Sequence, residues 1–286
     1  MRFLFVKYKN IGDVLLMTPA IEAVRRAYPE AEIWVSVRAN CEGILKGCRA
    51  IDRLLVDAAP EKSRRTREGY WRSLANICAV RRQRFDWVFE LGDNDRGRWF
   101  SLFSGARRRA CSQTHDFPGA WKRVFDVLDP IGGADCHQVE QNHRVVALAL
   151  GLKGVPPPLQ YAREAADFTA ADALGAEDAV IIHPVSRWKR KMWPVENWRR
   201  LLKELRGQGE RVILTCGPDP EEVRLCDALA GEAGSGVVST QGRLGWPEMA
   251  GLFYKGRYFV GIDTAAMHLA AACQLPGVVL FGPSGE

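Results

Sequence analysis

The chain has 286 residues, 47% hydrophobic and 26% charged, an ordinary globular composition with length enough for two α/β domains. Its eight cysteines include no CxxC and no paired spacing, which argues against a zinc site or a disulfide framework and fits a reducing compartment. No run reaches the roughly 18 apolar residues of a membrane span, and the apolar part of MRFLFVKYKNIGD is too short for a signal peptide, so a cytoplasmic protein is expected.

The net charge of +6 is unevenly placed. Residues 1–160 carry +8 and residues 161–286 carry −2. Lys62 to Arg84 holds eight Lys/Arg against one Glu, and Arg96 to Arg109 holds five Arg and no acid. The first half therefore suits an anionic partner such as a phosphorylated sugar, an acidic lipid or a nucleic acid. A merely solvated face is the plainer reading of such runs.

In chain order, Arg2–Lys7 reads as a buried strand, Asn10–Asp13 as the turn after it and Val14–Met17 as one helical turn. Thr18-Pro19 reads as an N-cap and first helical residue of the helix carrying Ile21, Val24 and Ala27, which Pro29 ends. Strands at Ile33–Val37, Arg53–Val56 and Trp87–Leu91 alternate with helices near Gly43–Cys48 and over Gly69–Arg82. Strands separated by helical patterns predict a parallel sheet with helices on both faces.

The proline-rich Gly151–Pro158 (GLKGVPPP) predicts a linker, placing domains at 1–150 and 159–286. The second register has strands at Ala179–Ile182, Val212–Thr215 and Tyr258–Ile262. Helices are predicted over Val195–Arg206, Glu221–Ala230, Pro247–Phe253 and Ala265–Cys273, with a last strand at Val278–Phe281. Asp263 or Thr264 can cap the helix at Ala265. Its small first turn, Ala265-Ala266, leaves free backbone N–H groups suited to an anion. The loops after Ile182 (HPVSRWKRKMWP) and Thr215 (CGPDPEE) leave the carboxyl ends of the same sheet, where ligands bind in such folds. Together they predict a nucleotide-diphosphate pocket: cations for phosphate, a carboxylate for ribose and a helix terminus to complete it. GxGxxG and the P-loop pattern are absent, which argues against a dehydrogenase or a P-loop NTPase.

IGDVLLMTPAIEAVRRAYP, HPVSRWKRKMWPVENW and VGIDTAAMHLAAACQLPGVVLFGPS together resemble the lipopolysaccharide heptosyltransferases (ADP-heptose:LPS heptosyltransferases, glycosyltransferase family 9), from Met1 to the end of the chain. The resemblance implies an α/β GT-B fold, with two Rossmann-like doubly wound domains facing across a cleft. It implies heptose transfer from ADP-heptose, bound by the C-terminal domain, to a lipid-linked phosphorylated oligosaccharide of the inner core, bound by the N-terminal domain. No metal or cofactor is implied. Asp13 falls where the family keeps a candidate general base. Lys191 falls at the lysine meeting the donor phosphates, with Ser186 and Arg187 beside it. Glu221 falls near the ribose-binding acid, with Glu222 as a substitute. Asp263, Thr264, Ala265 and His268 match the D-[TS]-x-x-x-H signature bordering the donor. Gly12, Asp95, Arg96 and Arg98 are acceptor-side candidates. The basic Arg64–Arg84 cluster suits the anionic inner-membrane surface, implying peripheral association and no nucleic-acid partner.

Members of the family run on well past the FGP motif, so a C-terminal domain short of its last helix is expected. Two other readings compete: another GT-B enzyme with a UDP-sugar donor, and a non-catalytic binder of an anionic glycolipid. The expected mechanism is one in-line displacement with inversion, because a retaining route needs a second nucleophilic carboxylate and none is evident.

Overall fold

The computed structural model describes residues 1–57, 67–113, 119–130 and 136–282, with backbone only at 67–70 and 72. Lys62–Arg65 of the basic cluster, the side chains of Arg67 and Arg72, and Pro283 and Ser284 of the last motif lie outside the described residues. The chain divides into two compact units, Met1–Leu159 and Gln160–Glu286.

In the N-terminal unit the elements run β1 (Arg2–Lys7), α1 (Ile11–Leu15), α2 (Thr18–Ala27), β2 (Glu32–Arg38), β3 (Arg53–Asp57), α3 (Arg67–Gln83) and β4 (Trp87–Glu90). They continue as α4 (Asp95–Phe103), β5 (Arg108–Ser112), β6 (Val127–Asp129) and α5 (Gln138–Leu150). All strand pairs are parallel, in the order β3-β2-β1-β4-β5-β6. Phe3 to Val6 are fully buried, as expected of a central strand covered on both faces, and this explains why β1 alternates so weakly.

Two local expectations are corrected. The first short helix begins at Ile11, three residues before Val14, so Asp13 lies inside it instead of in the turn ahead. Thr18 does not cap α2. It already stands in the first turn, after Met17, and its hydroxyl donates to the Leu15 carbonyl at 2.9 Å. Because α1 runs almost directly into α2, that carbonyl lies one turn behind Thr18 and takes its proton. Residues 92–150, where the sequence pattern marks no element, contain α4, β5, β6 and α5. The two strands there are only five and three residues long, and β5 (RRACS) begins with two arginines, so neither carries an apolar run.

The C-terminal unit runs α6 (Thr169–Ala173), β7 (Val180–His183), α7 (Val195–Gly207), β8 (Val212–Leu214), α8 (Pro220–Ala233) and β9 (Val237–Ser239). It ends with α9 (Trp246–Lys255), β10 (Tyr258–Ile262), α10 (Ala265–Ala272) and β11 (Gly277–Leu280). Its parallel sheet has the order β11-β10-β7-β8-β9. Val180, Ile182, Val212 and Leu214 pack with Trp198, Leu202 and Leu205 of α7 in one core, and Trp193 meets Trp198 edge-on at 4.9 Å.

Both sheets therefore wind outward in two directions from a central strand pair, the doubly wound pattern. The direction reverses between β1 and β4 in one unit and between β7 and β10 in the other. Ligands in such sheets bind beyond the carboxyl ends of the strands at that reversal.

Candidate active site

At the reversal in the N-terminal unit, β1 ends on Lys7 and β4 on Glu90, with Val6 opposite Glu90 in the register. Both charged side chains are buried. Lys7 Nζ donates to Asn142 Oδ1 at 2.8 Å. Burial pushes its pKa down to about 8, with the carboxylates of Asp13, Glu90 and Asp93 pulling the other way. Burial pushes Glu90 up to about 7, opposed chiefly by the Gly92 N–H that donates to Oε1 at 2.9 Å. The Asp93 N–H reaches the other oxygen at 3.1 Å. α4 rests directly on this carboxylate: a Cβ on Gly97 would lie 2.3 Å from Glu90 Oε1, so any larger residue there must displace the Glu90 carboxylate.

Asp13 and Gly12 stand on α1, one turn beyond Lys7. Asp13 Oδ2 accepts the Asn10 N–H at 3.2 Å, the third-position half of a capping box. Across the strand pair, Asn94 caps α4 by accepting the Gly97 N–H at 2.9 Å. Asp95 is exposed. Arg96 pairs with the buried Asp57 at 2.6 Å and lies over the Tyr8 ring, 5.2 Å from its centroid. Arg98 is buried and donates to Asp93 and to Asp95, the latter at 3.1 Å. The structure thus collects Gly12, Asp13, Asp95 and Arg96 at one sheet end, and it gives Arg98 the work of holding the β4–α4 turn. Lys7, Glu90 and Asn142 are not found by sequence reasoning. A lysine and a glutamate ending otherwise apolar strands are the available signal for the first two.

In the C-terminal unit, three loops meet at the reversal. Lys191, in a 3₁₀ turn at Lys189–Lys191 after β7, reaches Asp263 Oδ2 at the end of β10, with Nζ 2.5 Å away. Lys189 reaches Glu221 at the start of α8 at 3.1 Å, both largely exposed. Ser186 accepts the Trp188 N–H at 3.2 Å, folding the loop, and Arg187 is exposed. Thr264 precedes α10 in extended conformation but does not cap it. Its Oγ1 is out of solvent and makes no hydrogen bond, so Thr264 leaves the first-turn N–H groups at Ala265 uncapped. His268 stands one turn further along α10, partly buried.

Of the two candidate ribose acids, Glu221 is exposed and paired with Lys189. Glu222 is half-buried and turned back on Gly217, accepting its N–H at 2.9 Å. Asp219 caps α8 by accepting the Glu221 N–H at 2.8 Å. Below the loops, His183 Nδ1 lies 2.9 Å from Thr215 Oγ1, whose own proton goes to the Ile182 carbonyl at 3.2 Å, so Nδ1 is the donor. Burial pushes His183 down to about 4, keeping it neutral near pH 7. Among the described residues, no three His, Cys, Asp or Glu side chains gather as metal ligands. Nor is any described helix long and apolar enough to cross a membrane.

The sequence profile of glycosyltransferase family 9 (heptosyltransferase) matches residues 73–286. Lipopolysaccharide heptosyltransferase 3 of Escherichia coli K12 is 30% identical over 95% of this chain and 79% of its own length. Lipopolysaccharide heptosyltransferase 1 of Pseudomonas aeruginosa is 28% identical over 99% and 79%. Among solved structures, E. coli heptosyltransferase WaaC with ADP-2-deoxy-2-fluoro heptose superposes with a TM-score of 0.82 at 22% identity, over 99% of this chain and 90% of that one. The GT-B architecture expected from the sequence is thus the fold of these two parallel-sheet units. With the matching profile and the 30% identical relative, the chain belongs to glycosyltransferase family 9, the heptosyltransferases, and is a glycosyltransferase.

Proposed function

We propose that this enzyme transfers heptose from ADP-heptose to the lipopolysaccharide inner core in one inverting displacement. The donor's diphosphate is held by the C-terminal unit, and the observation that carries this is the meeting of Lys191 with Asp263 beside an α10 terminus that Thr264 leaves uncapped. A cation beside first-turn amides that Thr264 does not cap forms a diphosphate site. As ADP departs, its growing negative charge is stabilised by Lys191, Ser186, Arg187 and the N–H groups from Thr264 to Ala266. Glu222, half-buried and bonded to the Gly217 N–H, takes the ribose in preference to the exposed Glu221, and His268 borders the sugar.

Asp13 accepts the proton of the acceptor hydroxyl as that oxygen attacks the anomeric carbon. Gly12 leaves the carboxylate approachable, while Asp95 and Arg96 meet the acceptor's polar groups. Arg98 serves indirectly, by fixing Asp93 and Asp95. The acceptor is a lipid-linked phosphorylated oligosaccharide, and the basic first half of the chain draws the enzyme to the anionic cytoplasmic face of the inner membrane. No metal is assigned a role.

A donor panel on purified protein tests the reading. With a heptose-deficient core acceptor, ADP-heptose should give a product heavier by one heptose with inverted anomeric configuration, while UDP-sugars give none. Turnover of a UDP-sugar at a comparable rate would transfer the enzyme to the competing GT-B reading. Binding of the acceptor without turnover of any donor would favour a glycolipid-binding protein.

A further inference from the structure

Asn142 bridges two places that both lie far from it in sequence. Its Oδ1 accepts from Lys7 Nζ at 2.8 Å, and its Nδ2 donates to the Leu16 carbonyl at 2.9 Å. Lys7 is the last residue of β1 and Leu16 the residue closing α1, so one buried amide holds both ends of the segment that carries Asp13. The orientation of this amide is fixed by chemistry. Lysine can only donate and a backbone carbonyl can only accept, so the oxygen must face Lys7 and the nitrogen Leu16. Gln138, one turn earlier on α5, also donates to Oδ1, at 3.3 Å. No other side chain of this length offers one acceptor and one donor from a single planar group.

The segment needs such a hold. α1 has five residues, barely one turn, and a helix that short does not persist by its own hydrogen bonds. Its N-terminal end is fixed by the Asn10–Asp13 contact at 3.2 Å; at its C-terminal end the Gly12, Val14 and Leu15 carbonyls find local donors, and the Leu16 carbonyl takes the Asn142 amide from α5. α5 is a firm base: Val145 and Val146 are buried, and Arg144 pairs with the buried Asp129 of β6 at 2.7 Å.

We propose that Asn142 is a positioning residue for catalysis, holding the Asp13 carboxylate in place by clamping Lys7 and Leu16 to α5. This rests on the reading of Asp13 as the base. Lys7 adds to the hold through charge, because the Asp13 carboxylate attracts its buried ammonium more strongly than any other acid does. Lys9 on the following turn, Glu90 at the end of β4 and Asp93 on the β4–α4 turn act on the same ammonium.

A mutant cycle between Asn142 and Asp13 tests this, with turnover and donor KM measured on heptose transfer and folding followed by thermal unfolding. Asn142→Leu removes both hydrogen bonds but leaves Lys7 buried without its acceptor, which endangers folding. The pair Lys7→Met/Asn142→Leu replaces both polar partners by apolar groups of similar size and keeps the test readable in a folded protein. In whichever variant folds, turnover should fall by up to about 10²-fold, the cost of misplacing a reacting group by about 1 Å, with donor KM unchanged. In an Asp13→Asn background the same change should cost little, because the carboxylate it positions is gone. Losses that multiply in full across the two sites would overturn the positioning role while leaving Asp13 as base. Near-parental turnover of Asp13→Asn alone would overturn both.

Discussion

The two units share one winding and use it in opposite ways. At the reversal of the N-terminal sheet the charges are buried and held by fixed partners: Lys7 is 0% exposed and bonded to Asn142, Glu90 is 1% exposed and accepts two backbone N–H groups, and Arg98 is 6% exposed and paired with Asp93 and Asp95. At the reversal of the C-terminal sheet the ion pair of Lys191 and Asp263 is 21% exposed on each side, and the partly buried His183 beneath it is neutral. Buried ion pairs bring little net stability, but losing one partner is costly, so such clusters tend to hold one arrangement. Partly exposed pairs exchange partners at small cost. A carboxylate that must meet a hydroxyl in one geometry gains from the first design, and a site that must admit and release a diphosphate gains from the second.

The largest expected effect lies on the rigid side. Asp13→Asn keeps an oxygen to accept the Asn10 N–H, so stability should be near parental, but it cannot take a proton near neutral pH. Turnover should fall by about 10²–10⁴-fold with ADP affinity retained, as read by steady-state kinetics and calorimetry on one preparation. Retention of more than roughly a tenth of parental turnover, too small a loss for a missing general base, would reduce Asp13 to a capping residue.

On the exchangeable side, Lys191→Ala should weaken ADP binding by about 1.5–3 kcal/mol, the range for a hydrogen bond to a charged group. Turnover at saturating donor should fall less than in Asp13→Asn. Calorimetric affinity within about twofold of the parent, far below that range, would mean that the helix terminus and Ser186 hold the diphosphate without the lysine.

The smallest effect separates the units by pH. Glu90 is raised on folding from 4.5 to about 7, so the stability it contributes is fully present below pH 4.5 and is lost as pH rises through 7. His183 is lowered from 6.5 to about 4, so its contribution is present above pH 6.5 and is lost as pH falls through 4. Between pH 7 and pH 5 Glu90 should add stability around β1 and β4 and His183 remove it around β7 and β8, while burial of His143 and of Glu222 works against each trend elsewhere in its unit. Hydrogen exchange corrected for intrinsic rates should show β1 and β4 better protected at pH 5, and β7 and β8 less. The opening equilibrium should change by up to about tenfold for each pH unit crossed between the two titrations. Glu90→Gln should abolish the trend in the first unit only. Parallel trends in both units would show that other carboxylates dominate.

Asp13 and Lys191 were marked only by the resemblance of their motifs to family 9. Consecutive residues were enough to place most strands and helices, to predict a linker at GLKGVPPP, and to offer Asp263 as a possible cap. These features rest on period, turn chemistry and capping types, all of which are local. Local rules also misled. Thr18-Pro19 has the look of a cap and first helical residue, yet Thr18 spends its hydroxyl on Leu15 because α1 precedes α2 with almost no gap. Only tertiary structure could decide the rest. Lys7 at the end of β1 becomes a buried cation because α5 returns to cover it, and Asn142 lies 135 residues from Lys7 and 126 from Leu16. Glu90 is held near neutrality because α4 lies on it through Gly97. Glu222 stands apart from its neighbour Glu221 because the β8–α8 turn points one carboxylate inward and the other to solvent. Which charges meet, and which lose water, depends on long-range packing that no window of sequence contains.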